Sequence, residues 1–575
     1  MGRYTGIAEE TLKNKVGKDF FDKFDHTETI KKIDFSVRLN RPPEKEFWDF
    51  FLTRRDLLVP KDIRERKGSF FTPEIWVELS QKYIADVFGK NWQEKYYVWD
   101  CAAGTGNLLA GLTNKRNIWA STLDRTDVDI MHSRIKHGEL DLLNDHCFQF
   151  DFLNDDFNDK KLPENLRKII KNTPEKLIIY INPPYAEAGS TVKRDAKTSV
   201  SNTTMVHEKF CSDIGTYAKR EIFVQFLIRI YKEIERCKIA NFAKLKALCA
   251  SYFEHFRNIF QARLEALFVV PADTFDNVKG QFPIGFHIWD TRKKEIFKEI
   301  VADVFDERGN FTRNKTVISN DSVKFLNDWI RPYQKETDEK LGYLVCNGND
   351  FQHQNEIIVL SNKSNETSTF FKPVTVDNLV MSCIYLSVRR VIPADWLNDR
   401  DQFLYPNDGW ETDREFQNDC LAFTLFHESN NISSAHGVNH WIPFTEKELN
   451  ARNNFDSHFM LSFMTGKIIQ NGYSNLFEQV EDKPCIKRVF SPEAKAVFSA
   501  GRALWRYYHE RPKCNVNASF YDIREYFQGR NDKGRMNSKS DDETYTKLID
   551  KLRDSLKVLA KKIEPKIYEY GFLRE

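Results

Sequence analysis

The sequence lacks a long hydrophobic run, and nothing at its start has the pattern of a secretory signal. A transmembrane helix needs about 20 consecutive apolar residues, so we expect no membrane span and a cytoplasmic protein. Paired CxxC motifs are also missing, although the chain has 10 cysteines. Scattered cysteines without metal-ligand spacing are typical of reduced thiols in a core. We therefore predict no structural metal.

Net charge is nearly absent, because 86 Lys and Arg balance 84 Asp and Glu and leave +2. This balance hides a basic C-terminal end, within which basic and aromatic residues alternate between positions 502 and 535. They are Arg502, Arg506, Arg511, Lys513, Arg524 and Arg530, with Trp505, Tyr507, Tyr508, Phe520, Tyr521, Tyr526 and Phe527. Phosphate contacts and stacking rings would suit nucleic acid. A solvated basic face over an aromatic core explains the pattern as well, and taken alone is the better hypothesis.

The length of the chain predicts two or three domains, because it exceeds one hydrophobic core of usual size. Residues 1–66 indicate a small helical segment. Residues 67–300 have short β-rich runs separated by helical stretches, which predicts an α/β domain with a mostly parallel sheet. Within it, residues 186–218 indicate a long functional or disordered loop. Residues 301–575 lack this alternation and indicate a mixed second domain. The β-rich runs are 96–99, 118–123, 177–181 and 266–270, and helical spacing covers 223–234.

A glycine loop follows the first β-rich run, which ends at Asp100. Gly104 and Gly106 let the backbone turn sharply and approach a ligand closely. N–H groups at the start of the helix that should follow favour the negative end of such a ligand. Asp124 ends the next β-rich run, where a carboxylate can accept hydrogen bonds from both ribose hydroxyls. The pattern predicts a nucleotide-type site, and a tight βα turn without a ligand is the alternative.

The strongest motif is Asn182-Pro183-Pro184-Tyr185, which ends a buried β-rich run. An exocyclic amine is a poor nucleophile because its lone pair is delocalised into the ring. The side-chain oxygen of Asn182 and the carbonyl oxygen of Pro183 can accept its two N–H groups while the nitrogen faces a methyl donor. The prolines stiffen the loop, and Tyr185 offers a ring on which a flipped base can stack. A rigid turn capped by Asn182 is the alternative, which the upstream glycine loop disfavours.

With the glycine loop followed by residues 182–185, the chain resembles the amino-group DNA methyltransferases. Residues 67–73 resemble the family's motif X, with Thr72 placed to cap the helix that follows. This motif order is that of gamma-class adenine-N6 methyltransferases, as in type IIG restriction-modification enzymes. The resemblance covers roughly residues 60–300. It implies a Rossmann-like S-adenosylmethionine-dependent methyltransferase domain followed by a mixed α+β target-recognition domain, acting on double-stranded DNA.

The resemblance also implies roles for single residues. Those expected to bind S-adenosyl-L-methionine are Phe71, Thr72, Asp100, Ala102, Gly104, Gly106, Asn107, Asp124 and Asp151. Asp151 stands where the family places an acid that contacts the adenine of the donor. Asn182, Pro183, Pro184 and Tyr185 form the catalytic motif, and Phe282, or else Phe275, is expected to supply a second aromatic wall for the target base. For either phenylalanine an ordinary core position is the alternative.

Other functions compete with this one. Protein-glutamine or RNA amine methyltransferases share the chemistry, but the glutamine enzymes are compact and resemble neither motif X nor the long C-terminal domain. Cytosine-N4 enzymes usually begin the motif with Ser, so Asn182 favours adenine. A DNA-binding modification subunit without catalysis is the non-enzymatic alternative, against which the intact motifs argue.

Cleavage is a further alternative, because type IIG relatives carry a nuclease domain ahead of motif X. Only 66 residues precede Lys67 here, and the acidic residues Asp56, Asp62 and Glu65 imitate a metal nuclease pattern in the connector to motif X. We therefore expect methylation without cleavage, within a restriction-modification or epigenetic system, unless a separate nuclease or specificity chain is a partner.

Overall fold

The computed structural model describes residues 72–185, 204–275, 278, 280–333, 340–363, 370–468 and 487–574. The chain divides into two compact units, of which the first ends at Asp321 and the second begins at Ser322. The predicted helical segment 1–66, the motif X residue Phe71 and positions 186–203 of the predicted loop lie outside the described residues. Among the described residues no helix combines the length and apolarity needed to cross a membrane.

A nine-stranded mixed sheet forms the centre of the first unit. Its strands are β1 (Tyr97–Asp100), β2 (Ile118–Thr122), β3 (Cys147–Gln149), β4 (Leu177–Ile181), β5 (Lys238–Lys244), β6 (Ala262–Pro271), β7 (Pro283–Lys294), β8 (Glu299–Phe305) and β9 (Phe311–Ile318). The order is β3-β2-β1-β4-β5-β7-β6-β8-β9. Neighbours from β3 to β5 run parallel, and β7 lies antiparallel between β5 and β6. This is the Rossmann-like α/β fold that the sequence predicted.

The position of a ligand site follows from this strand order. After β1 the chain first builds β2 and β3 on one side and then returns to add β4 and β5 on the other. In such sheets ligands bind beyond the carboxyl ends of the strands, where the order reverses. Strands β2 and β4 are buried at every position, as expected for parallel strands covered on both faces. The reversal between β1 and β4 therefore places a candidate site at Asp100 and Asn182.

Helices and turns pack against this sheet. They include α1 (Glu74–Phe88), α2 (Trp92–Lys95), α3 (Arg125–Lys136), α4 (Glu164–Asn172), α5 (Met205–Phe210), α6 (Ile222–Glu233), α7 (Lys246–Cys249) and α8 (Glu254–Ile259). Helix α6 confirms the predicted helical spacing. Helix α5 falls within the predicted polar loop 186–218, where Thr204 caps it by accepting from the His207 N–H at 3.0 Å. That part of the predicted loop is therefore ordered helix.

Helix α1, which begins just after Thr72 and Pro73, is tied to the sheet by side-chain hydrogen bonds. The Ser80 hydroxyl lies 2.5 Å from the hydroxyl of Tyr180 on β4. The indole of Trp76 donates to Thr274 Oγ1, just after β6, at 2.8 Å. Both bonds join segments distant in sequence, so α1 is fixed beside the strands that carry the candidate site.

The first unit continues past residue 300, where the sequence analysis placed the end of the methyltransferase domain. Strand β8 pairs parallel with β6, and β9 pairs antiparallel with β8. The guanidinium of Arg257, which is 2% exposed, also bonds Asp321. The sequence boundary was set where βαβ alternation stops, but an added pair of antiparallel strands shows no such alternation. The compact unit therefore ends at Asp321.

The second unit is mixed α+β, as predicted. Its strands are β10 (Gly342–Val345), β11 (Val359–Leu360), β12 (Phe371–Val374) and β13 (Asn430–Asn431), in the order β12-β10-β11-β13. Its helices are α9 (Leu326–Ile330), α10 (Leu379–Val391), α11 (Gly409–Thr412), α12 (Arg414–Phe426), α13 (Glu446–Leu449), α14 (Phe459–Met464), α15 (Pro492–His509), α16 (Phe520–Gln528) and α17 (Glu543–Glu569). Helices α10, α12, α15 and α17 bury their apolar faces in one core.

Candidate active site

The glycine loop begins at Asp100, the last residue of β1. One carboxyl oxygen of Asp100 accepts the N–H of Ala102 at 3.0 Å. Gly104 and Gly106 have φ of +51° and +83°, which side-chain-bearing residues rarely adopt. A Cβ on Gly106 would lie 2.9 Å from Leu140, whereas a Cβ on Gly104 would meet nothing within 4 Å. Gly106 therefore permits close packing, and Gly104 leaves one face of the loop open to a ligand.

Asp100 is buried, with 1% of its surface exposed. Burial raises the pKa of its carboxyl to about 8, while the Ala102 N–H acts in the opposite direction. A carboxyl with such a pKa gains from a nearby cation, because the cation favours its ionised form. Asp100 is thus suited to a ligand that brings positive charge.

The loop is braced from both neighbouring helices. The Nη1 atom of Arg134 on α3 donates to Asn107 Oδ1 at 2.7 Å and to the Thr105 carbonyl oxygen at 2.8 Å. Gln81 on α1 donates to the Ala110 carbonyl at 2.7 Å. The predicted helix after the glycines is a single 3-10 turn, Asn107–Leu109. Asn107, which was expected to bind the donor, accepts a hydrogen bond from Arg134. It begins this short turn and not a full helix.

Two further predicted residues, Asp124 and Asp151, follow the neighbouring strands β2 and β3. Asp124 occupies the N-cap position of α3 and is partly exposed. The carboxylate of Asp151 accepts from the Leu153 N–H at 3.0 Å and from the Asn154 amide at 2.8 Å. Because β1, β2 and β3 are parallel, both acids lie at the same edge of the sheet as Asp100. The structure thus gathers the three predicted acids at the carboxyl ends of adjacent strands.

Asn182 comes directly after β4, and its side-chain amide is held at both ends. Its Nδ2 donates to the hydroxyl of Thr72 at 2.7 Å, and its Oδ1 accepts from the Tyr185 hydroxyl at 2.6 Å. An amide oxygen has two lone pairs, so one acceptor position remains for another donor. The amide therefore has one defined orientation before any ligand arrives.

Thr72 has a different contact from the one that motif X implied. It was expected to cap α1 and to line the donor pocket. Helix α1 instead has Pro73 at its N-cap position, with no side-chain cap bond. The Thr72 hydroxyl stands one residue too early for that role, and Thr72, 5% exposed, accepts from Asn182. Its position beside the Asn182 amide was not predicted.

The aromatic residues assigned to the target base differ in exposure. Tyr185 is 6% exposed, its ring belongs to the core, and burial raises the pKa of its phenol well above the usual value. Phe275 is 1% exposed and packs edge-on against Phe242, with ring centres 5.7 Å apart. Phe282 is only partly buried and stands just before β7. Of the two phenylalanines, Phe282 has the more accessible ring.

A buried ionic cluster beside the Asn182 loop was not predicted from the sequence. Lys244, the last residue of β5, lies 3.3 Å from the Tyr185 carbonyl and 3.6 Å from a carboxyl oxygen of Glu221. The other oxygen of Glu221 is paired with Lys246. A lysine that ends an apolar strand was the available signal, since charged side chains are buried only when paired.

The basic and aromatic residues near the C-terminus differ in exposure. Trp505, Tyr508 and Phe520 are 2–4% exposed and belong to the core of the second unit, whereas Tyr526 is 48% exposed. Arg502 is paired with Glu448, and Arg530 with Glu525. Part of the predicted aromatic set is therefore core, as the alternative interpretation expects, and nucleic-acid binding by the remainder stays a prediction. The described residues also contain no group of three or more side chains placed to hold a metal ion.

The fold is similar to solved structures of restriction-modification enzymes and methyltransferases. A nuclease-deletion mutant of the Type ISP restriction-modification enzyme LlaGI, in complex with a DNA substrate mimic, is 12% identical, with a TM-score of 0.37 and coverage of 60% of this chain and 40% of that one. A DrdV–DNA complex is 14% identical, with a TM-score of 0.36 and coverage of 52% and 34%. A putative class I S-adenosylmethionine-dependent methyltransferase from Listeria monocytogenes is 12% identical, with a TM-score of 0.27 and coverage of 53% and 93%.

The chain covers less than two thirds of the length of the first solved structures that it matches. No protein-family model matches it, and a search of curated proteins found no significant match. Similarities at these identities concern the fold. The geometry of the site carries the function proposed below.

Proposed function

We propose that this chain is an S-adenosylmethionine-dependent DNA methyltransferase that modifies the N6 amine of adenine in double-stranded DNA, within a restriction-modification or epigenetic system. The observation that carries the proposal is the Asn182 amide, held by Thr72 and Tyr185 at the end of β4. Strand β4 pairs directly with β1, which ends in the glycine loop. An amine acceptor and a nucleotide-type loop thus lie at neighbouring strand ends.

The residues at the ends of β1, β2 and β3 fit the proposed donor. The open face at Gly104 admits a ligand close to the backbone. Asp100, buried and with a raised pKa, suits the positive charge of the donor, and Asp124 and Asp151 are placed for its ribose and adenine. When bound, the donor supplies a methyl group on a positively charged sulfur. These residues hold it so that the methyl group faces the end of β4.

Asn182 and Pro183 bind the amine. One N–H of the amine donates to the remaining lone pair of Asn182 Oδ1, and the other donates to the Pro183 carbonyl. Both acceptors would stabilise the positive charge that develops on the nitrogen as its bond to the methyl group forms and the bond between methyl and sulfur breaks. The surplus proton would leave the nitrogen for water after transfer, so no general base acts first. Pro183 and Pro184 restrict the backbone and offer no competing N–H. The chain thus contributes a fixed pair of acceptors in place of a proton-transfer group.

Aromatic residues receive the flipped base. We assign one wall of the pocket to Phe282, which is only partly buried. Tyr185 is assigned to the other wall, with its hydroxyl bonded to Asn182 Oδ1 as in the structure. The base would then meet an acceptor that is already oriented.

The second unit is proposed to recognise the target sequence and hold the duplex open. Its separate core and mixed α+β architecture provide a surface distinct from the catalytic sheet. A separate nuclease or specificity chain remains a proposed partner. In that arrangement this chain supplies the methylation activity.

Incubation with tritiated S-adenosylmethionine and unmethylated genomic DNA, followed by digestion and nucleoside analysis, tests the proposal. We expect label in N6-methyladenosine. Label in protein or RNA, with none in DNA, would instead support a protein-glutamine or RNA amine methyltransferase. Donor binding without transfer to any of these substrates would favour the inactive DNA-binding subunit.

A paired substitution tests the role of Asn182 itself. Asn182→Ala removes an acceptor for the amine without touching the glycine loop, so we expect donor affinity to be kept and methyl transfer to be lost. Asn258→Ala, at an exposed position on α8, is the matched control. Retained transfer in Asn182→Ala would remove this residue from the mechanism.

A further inference from the structure

A buried ionic cluster lies beside the catalytic loop and has no part in the chemistry described above. It consists of Glu221, just before α6, with Lys244 at the end of β5 and Lys246 in α7. The side chains of Glu221, Lys246 and Lys244 are 4%, 6% and 17% exposed. Two ammonium groups thus share one carboxylate inside the protein.

Such a cluster is poorly explained by stability alone. Removing an ion from water costs several kcal/mol, and apolar side chains of similar volume often stabilise a core equally well or better. Lys246 is already paired with one oxygen of Glu221. The second ammonium, on Lys244, lies farther from the carboxylate, at 3.6 Å. It also lies 3.3 Å from the carbonyl oxygen of Tyr185.

The sheet explains why Lys244 reaches this carbonyl. Strands β4 and β5 are parallel, with Ile181 opposite Asn241. Lys244 stands three residues past Asn241 and Tyr185 four residues past Ile181, so both lie at the same edge. Tyr185 is consequently held at two points, its carbonyl by Lys244 and its hydroxyl by Asn182.

We propose that Lys244 is a positioning residue for methyl transfer, which fixes the C-terminal end of the Asn182–Tyr185 loop through the Tyr185 carbonyl while Glu221 holds its ammonium in place. Thr72 fixes the other end of the same loop through Asn182. Lys244 does not touch the reacting atoms. Its contribution is to limit the loop to the geometry in which Asn182 and Pro183 face the amine. This inference rests on the proposed function.

The variant Lys244→Met keeps the length of the side chain and removes its charge. We expect kcat for methyl transfer to fall about tenfold, because the loop then spends less time in the geometry in which Asn182 and Pro183 face the amine. Donor affinity by calorimetry should stay unchanged, because the glycine loop is intact. Lys244→Arg should restore most of kcat, since a guanidinium can also donate to the carbonyl. Lys246→Met, which removes the other ammonium of the cluster, is the matched control and should lower kcat less.

Hydrogen exchange gives a readout that does not depend on the substrate. Pro183 and Pro184 have no N–H, so exchange in a peptide of residues 181–185 reports chiefly on Tyr185. We expect faster exchange there in Lys244→Met than in Lys246→Met. Equal exchange in both variants, or an undiminished kcat in Lys244→Met, would overturn the inference. Absence of transfer in the unmodified protein would instead refute the proposed function and leave the exchange comparison valid. If Lys244→Met does not fold, Lys244→Gln replaces it in both measurements.

Discussion

Thr72 provides the sharpest test of the site, because the structure and the family resemblance assign it different partners. In the structure its hydroxyl accepts from Asn182 Nδ2 at 2.7 Å, which orients the Asn182 amide. The resemblance implies instead that Thr72 lines the donor pocket. The substitution Thr72→Val preserves the shape of this buried side chain and removes only the hydroxyl.

The expected effect follows from the lost hydrogen bond. Leaving a buried donor without its partner costs about 1–3 kcal/mol. If the whole of this cost is added to the activation free energy of methyl transfer, kcat falls by roughly 5- to 150-fold, since about 1.4 kcal/mol corresponds to a factor of ten. The dissociation constant of the donor should not change, because the Thr72 hydroxyl is directed at Asn182.

Steady-state methyl transfer to DNA and calorimetric titration with S-adenosylmethionine separate the two roles. Thr72→Ser keeps the hydroxyl and should retain most of kcat. Weaker donor binding with an unchanged kcat would refute the positioning of Asn182 by Thr72 and support the donor-pocket role. Equal loss of kcat in Thr72→Ser and Thr72→Val would show that packing, rather than the hydroxyl, is responsible.

Three further predictions concern other residues of the site. Asp124→Ala should weaken donor binding measured by calorimetry, and an unchanged affinity would remove Asp124 from the site. Burial raises the pKa of Asp100 to about 8, above that of an unfolded aspartate, so the folded state binds the extra proton between about pH 4 and pH 8. As pH rises through this range, the free energy of unfolding of the unmodified protein should therefore fall relative to that of Asp100→Asn. Denaturant titrations in which the two proteins have parallel pH profiles would contradict this. The fluorescence of 2-aminopurine at the target position increases when the base leaves the stack. Phe282→Ala should lower this increase, because the flipped base loses one wall of its proposed pocket, whereas Phe275→Leu in the core should leave it nearly unchanged; equal signals would exclude Phe282 as a wall.

Local sequence patterns located four strands of the first unit, including those that lead to Asp100 and Asn182, but not β3, which precedes Asp151, or β5, which ends at Lys244. Strands β1, β2, β4 and β6 are apolar runs that end at polar or turn residues, and the structure confirms each of them. The antiparallel insertion of β7 and the addition of β8 and β9 were not predicted. Strand direction and order depend on pairing partners distant in the chain, which a local apolar pattern does not specify.

The residues of the candidate site also fall into two groups: those that a local motif locates, and those whose contacts join positions far apart in the sequence. Asn182 and Asp100 were located because motif and strand end coincide in sequence. The contact of Thr72 joins residues 110 positions apart, and that of Lys244 spans 59 positions. Burial of Tyr185 and Phe275 could not be derived either, since an aromatic residue in a loop has the same sequence pattern whether its ring packs inward or outward.

The antiparallel direction of β7 affects which part of this fold can vary in evolution. Because β7 runs opposite to β6, the connection between them begins and ends at the edge of the sheet that carries Asn182. This connection can lengthen, shorten or exchange residues while both strands keep their register. A lineage could therefore change the residues at this edge, including Phe282, through insertions at one hairpin, without altering the strands that hold the glycine loop.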